Sequence, residues 1–240
     1  MTSPMPRGIL FDKDGTLLDF NQTWLDAYFQ AAEFLAQSVN RPQLARSLLV
    51  NGGYIPETGG WVRDCLLASG SNDQIVAFWE EQIGKPLGPE QLTGMRDIFG
   101  SAGKNPVPVL PDMRGFLGSL KESGLVLGVA TMDDERHAHS TLDRMGIRDL
   151  FDFVCGADSG FGVKPEPGMV NGFAHHCNLS TTEVIMVGDG PRDLNMGRNA
   201  GAALSGGVLT GAHERSELES LADYVFDDIA GLRSILPARN

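Results

Sequence analysis

The sequence predicts an α/β fold, a doubly wound parallel sheet with helices on both faces and a helical domain inserted into it. Three observations lead there. Short apolar runs recur at 8–11 (GILF), 125–130 (LVLGVA), 153–155 (FVC) and 184–187 (VIMV), with a further pair at 204–209 and 224–226. They are continuous rather than alternating, as strands buried on both faces should be. Helical patterns lie between them, and strand, helix, strand in alternation builds a parallel sheet. The first two runs stand much further apart than the roughly 30 residues of a βαβ crossover, so that interval holds something else.

The first run ends at Asp12. After it, Trp24, Leu25, Tyr28, Phe29, Ala32 and Leu35 share one helix face, and amphipathic patterns continue at 61–68, 74–83 and 92–98. These place an inserted helical domain at 20–103, hinged near 18–21 and in the Gly/Pro-rich stretch 100–111. Residues 1–19 and 104–240 then form a Rossmann-like core. Met113, Phe116, Leu117 and Leu120 keep helical spacing between Pro111 and Gly124. Met169, Val170, Phe173, Ala174 and Cys177 do the same behind Pro167, a residue that suits a first helical turn.

A chain of 240 residues, 42% of them hydrophobic, has room for such a core without disulfides or a structural metal. The net charge of −12 excludes a nucleic-acid partner, because phosphate backbones reward basic surfaces. It also repels anions at long range. A substrate carrying phosphate therefore needs a local reversal of the field by a metal, a lysine or a helix N-terminus. Cys65, Cys155 and Cys177 lack zinc-site spacing and are expected as buried free thiols. The N-terminus has no apolar signal core, and no run approaches the ~18 apolar residues of a membrane span. The expectation is a cytoplasmic protein, monomer or homodimer, without a membrane partner.

In an open parallel sheet, ligands bind beyond the carboxyl ends of the strands. Strand one ends there in Asp12-Lys13-Asp14-Gly15-Thr16, the 125–130 strand in Thr131, and the 184–187 strand in Gly188-Asp189-Gly190-Pro191-Arg192-Asp193. Between the last two comes Gly162-Val163-Lys164-Pro165-Glu166-Pro167. Asp12, Asp14 and Asp189 supply the oxygen ligands that Mg2+ prefers. Two aspartates spaced i, i+2 at one strand end can divide the work, one as nucleophile and one as proton donor. Taken singly, each segment has a plainer reading: DxDG as a calcium loop or tight turn, KPEP as a loop entering a helix, GDGPRD as a capped turn. Their joint occurrence, in order and each at a strand end, outweighs those readings.

FDKDGTLLD, the Thr131 strand end, Lys164 in GVKPEP and VGDGPRDLNMGRNAGA together resemble the motifs of the haloacid dehalogenase-like hydrolases. The first and last are especially similar to phosphoglycolate phosphatases, and the helical insert resembles, by position and helicity, the mobile cap of that branch. The resemblance implies a phosphoric monoester hydrolase acting on a small phosphorylated metabolite. It implies that Asp12 attacks phosphorus and that Asp14 serves as acid and then base. Mg2+ would rest on the Asp12 and Asp189 carboxylates and the Asp14 carbonyl, while Thr131 and Lys164 bind the phosphoryl oxygens. Asp193 would support the metal or orient Lys164. Met132-Asp133-Asp134 departs from the pattern, since a small or amide residue commonly follows the threonine.

Other residues carry plainer expectations. His137 and His139 read as a solvated helix start, His175 and His176 as boundary residues, and Trp24, Trp61 and Trp79 as core of the insert. The Gly-rich segment 51–60 precedes a helix carrying Arg63, and it is the candidate for facing the site and selecting the leaving group. A phosphomutase on the same scaffold and a catalytically idle binding protein remain as alternatives. The complete set Asp12, Asp14, Thr131, Lys164 and Asp189 argues against the second, because a binding module has no use for both nucleophile and acid.

Overall fold

Strand β1 (Gly8–Phe11) is buried at all four positions, with a parallel neighbour on each side. The computed structural model describes residues 5–62, 65–102 and 105–236. After β1 the chain runs through α1 (Phe20–Ser38), α2 (Leu44–Val50), the hairpin strands β2 (Tyr54–Ile55) and β3 (Gly60–Trp61), α3 (Leu66–Ser69), α4 (Asn72–Ile83) and α5 (Pro89–Ala102). The alternation then resumes with α6 (Met113–Glu122), β4 (Val126–Ala130), α7 (Glu135–Arg144), β5 (Phe153–Cys155) and α8 (Gly168–His176). It closes with β6 (Val184–Gly188), α9 (Pro191–Ala200), β7 (Leu204–Val208), α10 (Arg215–Leu218) and β8 (Tyr224–Phe226). Two compact units result, one of Met1–Asp19 with Val107–Asn240 and the other of Phe20–Pro106.

In the first unit the strands form one sheet in the order β5-β4-β1-β6-β7-β8, every pairing parallel. This is the doubly wound α/β sheet that the sequence predicts. Its strand order reverses between β1 and β6, so the switch point lies beside the end of β1. Strand alternation supplies both faces with core. Ile9, Phe11, Ile185 and Val187 pack with α6 and α7 on one side. Leu10, Val184 and Met186 pack with α8 on the other. Met113, Phe116, Leu117 and Leu120 are all buried, and the helix that carries them starts where Asp112 accepts a hydrogen bond from Gly115 N at 2.9 Å. Each fully buried Leu or Phe of this kind contributes about 1.5–3 kcal/mol of burial free energy.

The second unit is built on α1, which packs against α2 and α5. Tyr28 is its hub: its ring stands 5.3 Å from Trp61, 6.4 Å from Trp79 and 5.1 Å from Phe99, and its hydroxyl donates to the Leu67 carbonyl. Trp24, Trp61 and Trp79 are buried, and Trp79 donates to Leu48 O at 3.3 Å. A capping box, Ser71 with Gln74, starts α4, and Gly84 in the left-handed region ends it.

One expected helix is different. Trp61 belongs to a hairpin in which Tyr54 pairs with Trp61 and Ile55 with Gly60, and the helix that follows covers only Leu66–Ser69. The apolar spacing over 61–68 suggested one helix, but Gly59 at φ 70° turns the chain just before Trp61, and the Tyr54–Trp61 aromatic pair holds the two short strands together. Among the described residues no helix is long and apolar enough to cross a membrane. No disulfide joins the three cysteines, of which Cys155 alone is fully buried.

Candidate active site

Asp12 follows directly on β1, and its amide donates to Val187 O of β6 at 2.8 Å, which continues the sheet pairing to the switch point. Its side chain is 9% exposed. Lys164, from the loop between β5 and α8, donates its ammonium to Asp12 Oδ1 and, at 2.6 Å, to Asp193 Oδ1. Burial, opposed by Lys164 and reinforced by Asp193 and Asp14, pushes the Asp12 carboxyl up to about 7. For Lys164, burial disfavours the ammonium, but Asp12 and Asp193 outweigh it and its pKa lies above the ordinary lysine value.

Asp189 stands at the end of β6 and Asp193 in the first turn of α9, where Pro191 opens the helix. Asp193 Oδ2 also accepts from Gly190 N at 3.3 Å, so this one carboxylate ties the helix start to Lys164. Two glycines admit the Asp189 carboxylate. Gly15 turns the chain at φ 83°, and a Cβ there would stand 2.7 Å from Asp189 Oδ2. A Cβ on Gly211, in the loop after β7, would come within 1.8 Å of the same oxygen. Thr210 in that loop donates to the Gly15 carbonyl at 2.6 Å and joins the two turns.

Thr131 follows β4, is buried, and accepts from the Asp133 amide at its Oγ1 at 3.1 Å. The Met132 amide has no hydrogen-bond partner among the described residues and remains available to an anion. The Asp14 side chain is elsewhere than the cluster of Asp12, Asp189 and Asp193: its Oδ2 pairs with Lys13 Nζ at 2.7 Å. Its backbone carbonyl is then the Asp14 group left for a metal. Arg63 lies outside the described residues. Within the second unit, Arg46, Asn51, Tyr54, Glu57 and Val62 line an open cleft of about 450 Å³.

Sequence reasoning missed Lys13, Asp133, Thr210 and Gly211. A lysine between two aspartates, with Phe11 before it and Leu17-Leu18 after, was a readable signal, since a charge buried in such a segment must be paired. Thr210 and Gly211 directly follow the 204–209 run, so the rule about strand ends points to them as well.

The residues fit a divalent cation. Carboxylate oxygens of Asp12, Asp189 and Asp193 lie within 4.8 Å of one another. Asp12 Oδ2 is buried with no hydrogen-bond partner among the described residues. Burial, with Asp12 and Asp193 beside it, also raises the Asp189 carboxyl well above the usual range. Three crowded carboxylates against one ammonium are short of positive charge, and an all-oxygen donor set suits a hard cation.

A doubly wound sheet with such a cluster at its switch point defines the class as an α/β enzyme with a cation-ready carboxylate centre. The sequence model of haloacid dehalogenase-like hydrolases matches residues 6–201, and the chain belongs to that family. A phosphoglycolate phosphatase of Pasteurella multocida (strain Pm70) is 30% identical over 234 residues, spanning 94% of this chain and 96% of the relative. A solved chain from Haemophilus somnus 129PT, provisionally assigned as a phosphoglycolate phosphatase, superposes with a TM-score of 0.69 at 23% identity, covering 96% of this chain and 97% of that one. A Thermotoga maritima chain provisionally assigned as a beta-phosphoglucomutase also reaches 0.69, at 18% identity over 96% of this chain and 100% of that one. Both structural likenesses establish the fold alone. With phosphatases as its full-length relatives, the chain is a phosphoric monoester hydrolase of the phosphoglycolate phosphatase-like branch.

Proposed function

We propose that the chain is a Mg2+-dependent phosphatase that hydrolyses a small phosphate monoester, of phosphoglycolate or sugar-phosphate type, through an aspartyl-phosphate on Asp12. The observation that carries this reading is Asp12 itself, with one oxygen held by Lys164 and the other buried without a hydrogen-bond partner among the described residues. In the first half-reaction an Asp12 oxygen attacks phosphorus, the ester P–O bond breaks, and Asp14 protonates the departing oxygen. In the second, Asp14 takes a proton from water, which attacks the phosphoenzyme and frees Asp12. Lys164, Thr131 Oγ1 and the Met132 amide bind the phosphoryl oxygens, and positioning with charge stabilisation does most of the catalysis. Mg2+, held by the Asp12 and Asp189 carboxylates and the Asp14 carbonyl, supplies positive charge where the phosphoryl group is transferred. Asp193 orients Lys164 through their hydrogen bond. Residues 20–106 choose the leaving group.

A panel of phosphorylated metabolites, phosphoglycolate among them, assayed with Mg2+ for phosphate release tests the reading. Phosphate release from a small monoester is expected. Rapid interconversion of isomeric sugar phosphates with little phosphate released makes the chain a phosphomutase instead, and silence on every ester leaves it a binding protein.

A further inference from the structure

The Lys13 ammonium is fully buried between two carboxylates, Asp14 Oδ2 at 2.7 Å and Asp133 Oδ2 at 3.5 Å. Asp133 is fixed by its own turn. Its amide donates to Thr131 Oγ1 at 3.1 Å, its carbonyl accepts from Ala157 N at 3.0 Å, and its Oδ1 accepts from Asp134 N at 2.8 Å. His137, in the first turn of α7, stands 3.6 Å from that Oδ1. Burial pushes the Asp133 carboxyl up, but Lys13 and His137 more than offset this and keep it below the usual carboxylate range. Asp133 is therefore an anion locked in place. The two side chains are similarly exposed, Asp14 at 20% and Asp133 at 15%.

A buried ammonium with one carboxylate partner holds that partner hard, because separating such a pair leaves an uncompensated charge. A second, immobile carboxylate changes the balance. We propose that Asp133 is a positioning residue: it shares the Lys13 ammonium, so that the Asp14 side chain can leave Lys13 for the leaving-group oxygen and return for water. Lys13 then keeps a counter-charge whether Asp14 faces it or the substrate. No bond or proton changes at Asp133 or Lys13; the proton passes only between Asp14, the leaving group and water. The departure at Met132-Asp133-Asp134 and the lysine inside the DKD motif thus form one device. The inference rests on Asp14 being the acid and base.

The test uses the full chain with Mg2+, an alkyl phosphate and p-nitrophenyl phosphate as probes, and the variants Asp133→Asn, Asp133→Glu and Asp14→Asn. Asp133→Asn should remove the second carboxylate charge beside Lys13 and so hold Asp14 harder, lowering kcat on the alkyl ester by about tenfold or more while KM stays within about twofold. Nitrophenolate needs no proton to leave, so the same variant should give a stopped-flow burst approaching one equivalent per enzyme before a slow steady state. Asp133→Glu should recover most of the rate. An unchanged kcat in Asp133→Asn overturns the proposal, and so does a lowered kcat with no burst, which means fewer working sites and a structural role. If Asp14→Asn retains full rates on both esters, the acid–base reading falls, whatever the Asp133 variants do.

Discussion

Lys164 donates to Asp12 across 152 positions of sequence, joining the loop before α8 to the end of the central strand. The same ammonium reaches Asp193 at 2.6 Å. One cation thus aligns the proposed nucleophile and the start of α9, and the first prediction concerns that nucleophile. Asp12→Asn keeps the shape of the side chain and its place beside Lys164. It should fold, yet lose phosphate release by about 10³-fold or more, on the scale of nucleophile removal. Mass spectrometry of quenched turnover should find phosphoenzyme in the wild type and none in the variant. Near-normal hydrolysis by Asp12→Asn sinks the assignment.

The raised Asp12 carboxyl also predicts a pH dependence of stability. It is pushed up to about 7 in the folded protein from an ordinary 3.8, so between those two pH values the native state binds more protons than the unfolded chain. Stability from this group is therefore lost as pH rises through that window, and the loss levels off above it. In EDTA, Asp12→Asn should be more stable than wild type by an amount that grows from pH 4 to 7, reaching on the order of a few kcal/mol. Urea unfolding at several pH values measures it. A difference that stays flat across the window refutes the claim.

Metal dependence follows from the crowding of Asp12, Asp189 and Asp193. Activity should vanish in excess chelator and return with Mg2+, while Ca2+, with its looser coordination, should substitute poorly. Metal held only by the native state should raise Tm, by the equivalent of about 2.7 kcal/mol at a hundred times Kd. Full activity in EDTA would remove the metal from the mechanism.

Gly211→Ala tests the loop after β7. The new methyl would overlap Asp189 Oδ2, so either the loop or the carboxylate must move. The expected outcome is Mg2+ affinity weaker by about tenfold, the lower end of what disturbing a ligand's support costs, read as a shift in the Mg2+ concentration that raises Tm. Unchanged metal titration would mean that the loop yields freely.

The division of labour predicts that Arg63→Ala, or removal of residues 51–60, reorders substrate preference while hydrolysis of a small generic ester survives. A substrate panel run on both variants decides it. Loss of activity on every ester would show that the insert takes part in the chemistry.

Much of the core was legible because strands buried on both faces leave uninterrupted apolar runs. The stretch 184–187 could scarcely be anything else, and the rule about strand ends then led from it to Asp189. The hairpin at Trp61 was not legible, since two-residue strands have no periodicity to read and depend on Tyr54 across the turn. The Lys13–Asp133 contact was hidden for another reason: an ion pair between loops of different strands leaves no local pattern, only a charge in an improbable place. Asp14 Oδ2 turned toward Lys13, outside the cluster of Asp12, Asp189 and Asp193, is invisible in DxDG for the same reason.

The position of β1 has a consequence for synthesis. It pairs Gly8 with Val126 and with Val184, so the middle of the sheet is made first but gains its neighbours much later. At about 5–20 residues per second, the nascent GILF segment waits on the order of ten seconds for its first partner. Residues 20–106 can condense in that interval, because their contacts are local, and local contacts form fast. An uncharged apolar strand left waiting is an aggregation hazard. Arg7 on one side and Asp12-Lys13-Asp14 on the other flank it with charge, so residues of the candidate active site also stand where charged gatekeepers protect a nascent strand.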